Sequence, residues 1–272
     1  MNGRALGSAI GWGGRTLALI GHVARVRASF LLMLAALSWG VLYEMARVRS
    51  WRRSIRAEFW RVLRQATSGC LVTTLVTASL TGLALVAQAL YWLGLAGQEE
   101  LEGSLLVSVL VRELTPLLIG MVILGRCGTV AVVELGSLRT EGSLNVLAAQ
   151  GLDPIILFVL PRTTAFAWAS FTLGVFFISI ALAAGFVAGS LLGQVHESAG
   201  MFVDHVLSSM KASVFVIFPI KMLTIGALVA LTACLTGLIA HSADGVAALL
   251  PRAFTRGVLA ILSTSLVLSL AA

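Results

Sequence analysis

Arg112 and Glu113 stand side by side in an otherwise apolar run, and Lys221 stands alone in another. A charge at the middle of a membrane helix costs roughly 2.5–3.5 kcal/mol on insertion scales, so such groups face protein, water or a ligand. Neighbours on an α-helix point about 100° apart and do not face one another. Each therefore needs a partner on another helix, in a cavity or on a ligand. Two readings stand: the pair snorkels near the outer interface, or it lines a substrate cavity. Arg126 follows Arg112 by fourteen residues, which returns it to within about 40° of the same helix face. Two cations at different depths on one stripe suit an anionic amphiphile better than a neutral solute, although two snorkelling arginines give the same spacing. Lys221, beside Pro219, either completes the Arg112–Glu113 network or snorkels outward.

A second polar stretch follows. Between 134 and 153, Glu134, Arg139, Glu141, Asn145 and Asp153 alternate with Leu135, Leu138, Leu144, Leu147 and Leu152. Leu144 and Leu147, with Ala148, lie three and four apart, so one face is apolar and the other polar. Such a helix seals the bundle at the interface, or it docks a cytoplasmic partner.

The elements that carry these residues belong in a membrane. Of the 272 residues, 58% are hydrophobic and only 11% charged, against about 25% charged in soluble domains. Several apolar runs reach the roughly 20 residues that cross about 30 Å of hydrocarbon. The runs are continuous rather than alternating, which excludes a β-barrel. The net charge of +7 does not point to nucleic acid: eleven of the seventeen arginines precede position 65, beside hydrophobic spans and without a stacking module. That clustering places the N-terminal end in the cytoplasm and offers anionic head groups a contact. Cys70, Cys127 and Cys234 lie in apolar runs with no CxxC, which fits small buried hydrophobes. No GxxxxGK[ST], HExxH or GxSxG is present, and His22, His196, His205 and His241 are scattered. The expectation is a chain that is not itself an enzyme, with no metal site and no nucleotide of its own.

Residues 28–43 are apolar, short and flanked by arginines on both sides, so they read as a helix in the cytoplasmic interface. Five spans follow, at about 66–95, 104–133, 160–192, 212–240 and 254–272. The fourth is interrupted by Pro219 and Lys221. The loop 96–103 holds Glu99, Glu100 and Glu102 and reads as external, and 193–211 reads as a short external helix. Small residues at Cys70, Thr74, Ala78 and Gly82, and at Ala181, Gly185, Gly189 and Gly193, form close-packing stripes. The expected fold is an all-α polytopic membrane protein. A basic segment 1–65 carries the interfacial helix, and a transmembrane domain 66–272 follows, with the N-terminus inside and the C-terminus outside.

In order and spacing, Arg112-Glu113-x-x-Pro116, Gly125-Arg126-x-Gly128, Glu134-Leu135-Gly136-x-Leu138-Arg139, Gly151-x-Asp153-Pro154 and Pro161-Arg162 run over more than fifty residues. In these motifs the chain resembles the MlaE/YrbE family of ABC transporter permeases. The weaker match reaches Gln88, Lys221 and 253–256. The resemblance implies a homodimer in the bacterial inner membrane. It also implies a cytoplasmic ABC ATPase that binds the ATP, a periplasmic MCE-domain protein, and phospholipid or a related hydrophobic molecule as cargo. It assigns Arg112, Glu113, Gln88, Arg126 and Lys221 to the substrate. It assigns a coupling helix at about 136–150, with Glu134, Arg139, Glu141, Leu144, Asn145 and Leu147, to the ATPase contact. Two departures imply a divergent member. Thr140-Glu141-Gly142-Ser143 replaces the usual sequence after the connector arginine and interrupts the helix with a glycine, and the last span carries no acidic residue. The competing reading from the residues alone is an ion-coupled carrier using Glu113 as a proton site, or a membrane scaffold, with no ATPase partner.

Overall fold

Inside hydrocarbon every backbone N–H and C=O must bond within its own segment, which leaves helices for a chain of continuous apolar runs. The computed structural model describes residues 25, 28–47, 52–96, 107–191, 200, 201, 204, 208, 212–240 and 246–270, and these contain helices and no strand. In chain order they are α1 Ala28–Ala46, α2 Arg53–Ala96, α3 over 107–140, α4 Ser143–Ala149, α5 Ile155–Leu191, α6 Ala212–Leu238 and α7 Val246–Leu270. Among the described residues, every helix except α4 contains a stretch long and apolar enough to cross a membrane. The fold is an all-α polytopic membrane protein.

Element boundaries differ from the sequence expectation in one direction. Helix α2 begins thirteen residues before position 66, α3 runs on through the supposed connector to Thr140, and α7 begins eight residues before 254. Apolarity marks only the part of a helix in hydrocarbon, whereas its hydrogen-bond ladder continues into the polar zone. Helix α6 is not interrupted: Pro219 sits inside it, as neighbouring helices allow in membrane bundles. Helix α1, expected only in the interface, also has the length and apolarity of a span. The segment 193–211 and the loop 96–103, both expected to be external, lie almost wholly outside the described residues.

The small-residue stripes explain the main packing. Helices α2 and α5 share the most extensive interface of the bundle. Cys70, Thr74 and Ala78 of α2 are buried, and a Cβ on Gly82 would clash with the backbone carbonyl of Ala181 on α5. Without a hydrophobic drive between helices in lipid, such close backbone approach supplies the association. Helix α6 packs against α3, α5 and α7, and a buried hydroxyl ties it to α5, Ser170 Oγ donating to Met222 O at 2.6 Å.

Helix α1 uses one face only. Leu34, Leu37 and Val41 pack into a cluster with Leu135 and Leu138 of α3, Ile156, Phe158, Val159 and Leu160 of α5, and Leu231 and Leu238 of α6. Trp39 and Leu32, on its other face, are 75% and 72% exposed. Arg256 of α7 stacks over the Phe30 ring at 4.1 Å, a cation–π contact.

Helix α3 is not uniform. It is wound as a π-helix over Val107–Leu114 and again over Leu124–Gly128, and α5 opens with a π turn at Ile155–Val159. Each π turn takes in more residues than an α turn. Such turns are rare and concentrate at functional sites.

Candidate functional site

The first π segment carries Arg112 and Glu113. Pro116, four residues on, has no N–H to return to the Arg112 carbonyl. Lys221 of α6 fills that vacancy, Nζ donating to Arg112 O at 2.7 Å. The same ammonium donates to Ser269 Oγ of α7 at 2.7 Å and to Glu113 Oε2 at 3.4 Å. An ammonium has three donors, so Lys221, with only 2% of its side chain exposed, is fully satisfied. Ser269 Oγ in turn donates to Glu113 Oε1 at 2.7 Å.

Arg112 completes the cluster. Its Nη2 donates to the Ser269 carbonyl at 3.1 Å. That carbonyl lies in the last turn of α7, where no intrahelical donor remains and where the helix end attracts a cation. Arg112 Nε also lies 4.0 Å from Glu113 Oε1. The two neighbours thus make a loose pair that α-helical geometry forbids, because π winding narrows the angle between successive side chains. Two cations and one carboxylate leave the cluster net positive. Its buried side is closed by Lys221, while 38% of the Arg112 side chain and 41% of the Glu113 side chain stay exposed. A guanidinium held from behind, with donors left on its open side, can take an anionic head group.

The structure separates Arg126 from this cluster. Its Nη1 donates to Thr73 Oγ1 of α2 at 3.0 Å, whereas Arg112 reaches α7. The fourteen residues between the two arginines already set them about 20 Å apart along the helix, and the π turns shift the α3 faces further. Gln88 is exposed on α2 and, among the described residues, is not one of the partners of the Arg112 cluster. Ser269 is the member that sequence reasoning missed, and a serine among Ser, Leu and Val offers no signal.

At the other end of α3, Glu134 pairs with Arg162 of α5, tying two helices rather than standing free. The coupling helix expected at about 136–150 is interrupted at the glycine, as the sequence indicates. Helix α3 ends at Thr140, Gly142 turns the chain with φ 77°, and α4 follows. That left-handed conformation strains any residue with a Cβ, which is why the interrupting glycine is required. Arg139 Nη1 donates to Asn145 Oδ1 across the turn at 3.3 Å. Leu144 is buried and Leu147 half-buried, so both anchor α4. Arg139, Glu141, Asn145 and Val146 are exposed. The far end of α4 is closed by a left-handed Gly151, with Leu152 N–H donating to Leu147 O and Gly151 N–H to Ala148 O. Asp153 Oδ1 then accepts the Ile155 N–H at 2.9 Å, and Pro154 has no N–H to satisfy. The Gly151-x-Asp153-Pro154 motif is therefore a stop followed by a start.

Cys70 of α2 and Cys127 of α3 lie with sulfurs 3.3 Å apart, and Cys234 is buried separately. The described residues contain no cluster of three or more His, Cys, Asp or Glu able to hold a metal.

Comparison with known proteins agrees with this architecture. A probable ABC transporter permease protein, slr1045, of Synechocystis sp. is 28% identical over 196 residues, which cover 72% of this chain and 74% of the relative. The chloroplastic protein trigalactosyldiacylglycerol 1 of Arabidopsis thaliana is 28% identical over 151 residues, 52% of this chain and 43% of the relative, so the alignment spans less than half of that protein. The family model described as Permease MlaE matches residues 59–271, the stretch that holds α3, α4 and every member of the Arg112–Lys221–Ser269 cluster. The chain belongs to the MlaE permease family.

Proposed function

We propose that the protein is the membrane subunit of an ATP-driven lipid transporter, moving a phospholipid or related hydrophobic anion between the inner membrane and the cell envelope. The observation that carries this reading is the cluster of Arg112, Glu113, Lys221 and Ser269. It keeps net positive charge on membrane-spanning helices, closed on one side and open on the other. A neutral solute has no use for that charge, while a phosphate or carboxylate on an acyl chain does. The Arabidopsis relative carries a glycerolipid in its name, which supports the amphiphile class.

The chain catalyses nothing itself in this reading. ATP binds a separate cytoplasmic ABC ATPase, and the exposed Arg139, Glu141, Asn145 and Val146 around the Gly142 turn are its contact. Helix α4 is anchored by Leu144 and α3 continues from Arg139 back towards Arg112, so a push on α4 reaches the lipid site through one rod. The rod crosses two π segments, where its winding can change. Two copies of the chain form the transporter, and a periplasmic MCE-domain protein receives or supplies the lipid. The arginine-rich N-terminal end lies in the cytoplasm, α1 rests against the inner ends of α3, α5 and α6, and the Ser269 end of α7 faces outward. Glu113 is held by Lys221 and Ser269, so it serves as the internal counter-ion of the cluster.

Purification from the native membrane tests the reading. The chain is expected to bring an ABC ATPase with it, and phosphatidylglycerol added to the complex should stimulate hydrolysis. A chain that purifies without any ATPase and responds to a pH gradient in vesicles overturns it.

A further inference from the structure

A cavity of about 200 Å³ opens between α2, α3 and α5, away from the Arg112 cluster. Its polar wall is Arg61, Gln65, Arg126, Glu134 and Arg162. Three guanidinium groups on three different helices therefore face one carboxylate. Arg61 is paired with Glu58, to which it donates at 2.9 and 2.6 Å, and the balance with Glu58 included is still positive. Arg162 is the decisive residue. Its side chain is only 5% exposed, its guanidinium lies over the Phe158 ring at 5.6 Å, and Glu134 accepts from Nη2. Its Nη1 is buried with no hydrogen-bond acceptor among the described residues. A buried guanidinium nitrogen without an acceptor is uncommon in native proteins, and converging cations repel one another until an anion joins them.

The location identifies the kind of anion. Arg126 and Glu134 follow Arg112 by fourteen and twenty-two residues along α3, about 20 and 33 Å at helical rise. Hydrocarbon is about 30 Å thick. Arg126 thus stands near the middle of α3 and Glu134 towards its far end, so the cavity reaches from the bilayer interior to the headgroup layer opposite the Arg112 site. Val62, Ala66, Val130 and Phe166 complete the cavity wall, an apolar flank of the kind an acyl chain needs beside a charged head. Forked guanidinium donors match tetrahedral phosphate oxygens.

We propose that this cavity is a second anion site, which holds the phosphate of a lipid headgroup in the leaflet opposite the Arg112 site. Arg126 and Arg162 are its donors, and Glu134 is the internal counter-ion that limits its affinity. The proposal rests on the transport reading only for the membrane placement of the helices, and its test measures binding rather than transport.

Native mass spectrometry of the purified full chain, titrated separately with phosphatidylglycerol, phosphatidylcholine and inorganic phosphate, provides that test. Arg126→Gln removes a charged donor from the rim and is expected to weaken the tightest phosphatidylglycerol site about tenfold or more, leaving phosphatidylcholine unchanged. Glu134→Gln is expected to tighten it, which a purely structural Glu134–Arg162 pair does not predict. Arg162→Gln is expected to behave as Arg126→Gln if it folds, and the two other variants decide the matter if it does not. Arg112→Gln should keep this site even where it abolishes lipid transfer, so a failure here and a failure of the transport reading are told apart. Unchanged phosphatidylglycerol affinity in both Arg126→Gln and Glu134→Gln overturns the proposal and leaves a water-filled cavity. Inorganic phosphate that binds without lipid and is lost in Arg126→Gln overturns the headgroup assignment in favour of the free ion.

Discussion

Replacing Ser269 with alanine isolates the least conspicuous member of the Arg112 cluster. The hydroxyl accepts from Lys221 Nζ at 2.7 Å and donates to Glu113 Oε1 at 2.7 Å. Lys221 remains buried after the change, with two acceptors where it had three, so the lost charge-assisted bond costs about 1.5–3 kcal/mol. Glu113 is 41% exposed along its side chain, and water replaces its bond, so that part is worth only about 0–1 kcal/mol. Together, about 1.5–4 kcal/mol of the attachment of the α7 terminus to α3 and α6 disappears. At tenfold per 1.4 kcal/mol, local opening of the last turns of α7 should become roughly 10- to 700-fold more frequent. Hydrogen exchange of peptides covering 262–270, followed by mass spectrometry in detergent, reads this directly. Ser263→Ala is the control, because Ser263 Oγ bonds Ala260 O within its own helix. Exchange unchanged in Ser269→Ala, or raised equally by Ser263→Ala, refutes the reasoning, since the cluster then does not hold the α7 end.

Other consequences are equally specific. Gly82→Leu places side-chain atoms where the Ala181 backbone lies, so α2 and α5 should fail to pack and monodisperse protein should be lost on gel filtration, while Gly69→Ala, which opens onto free space, should be silent. Gly142→Val forces a β-branched residue to φ 77°, a strain of about 1–2 kcal/mol; with Arg139→Glu, it should reduce co-purification of the ATPase while gel filtration of the chain alone stays normal. Mild oxidation should link Cys70 to Cys127, whose sulfurs are 3.3 Å apart, and leave Cys234 as a thiol; tryptic peptides without a Cys70–Cys127 crosslink would contradict the register of α2 on α3.

What the sequence disclosed and what it hid have the same cause. Arg112, Glu113 and Lys221 were legible because charge in an apolar run has no neutral explanation, and the structure brings all three together. The stripe from Cys70 to Gly82 was legible because close helix approach admits only small side chains. Ser269 was not, since a hydroxyl in a helix is usually satisfied by its own backbone, and only the meeting of two helix ends gives it a different role. The π winding of α3 was equally hidden, since an apolar run fits either winding. The cavity at Arg162 could not be read for a similar reason. Arg61, Arg126, Glu134 and Arg162 each have a local explanation, and they form a site only because α2, α3 and α5 meet there. Helix ends were misplaced because apolarity reports the solvent around a helix and not where its hydrogen bonds stop.

The central claim is that positive charge fixed by Lys221 and Ser269 presents Arg112 to an anionic lipid whose movement is driven by a partner ATPase. Transfer of fluorescent phosphatidylglycerol between donor and acceptor vesicles, with the chain and its ATPase reconstituted in the donors and hydrolysis recorded in parallel, tests it most directly. The account predicts ATP-dependent transfer by the wild type, and in Arg112→Gln a loss of transfer with the ATPase still bound and still hydrolysing. Transfer at the wild-type rate in Arg112→Gln, or hydrolysis by the wild type that never moves lipid, would contradict it.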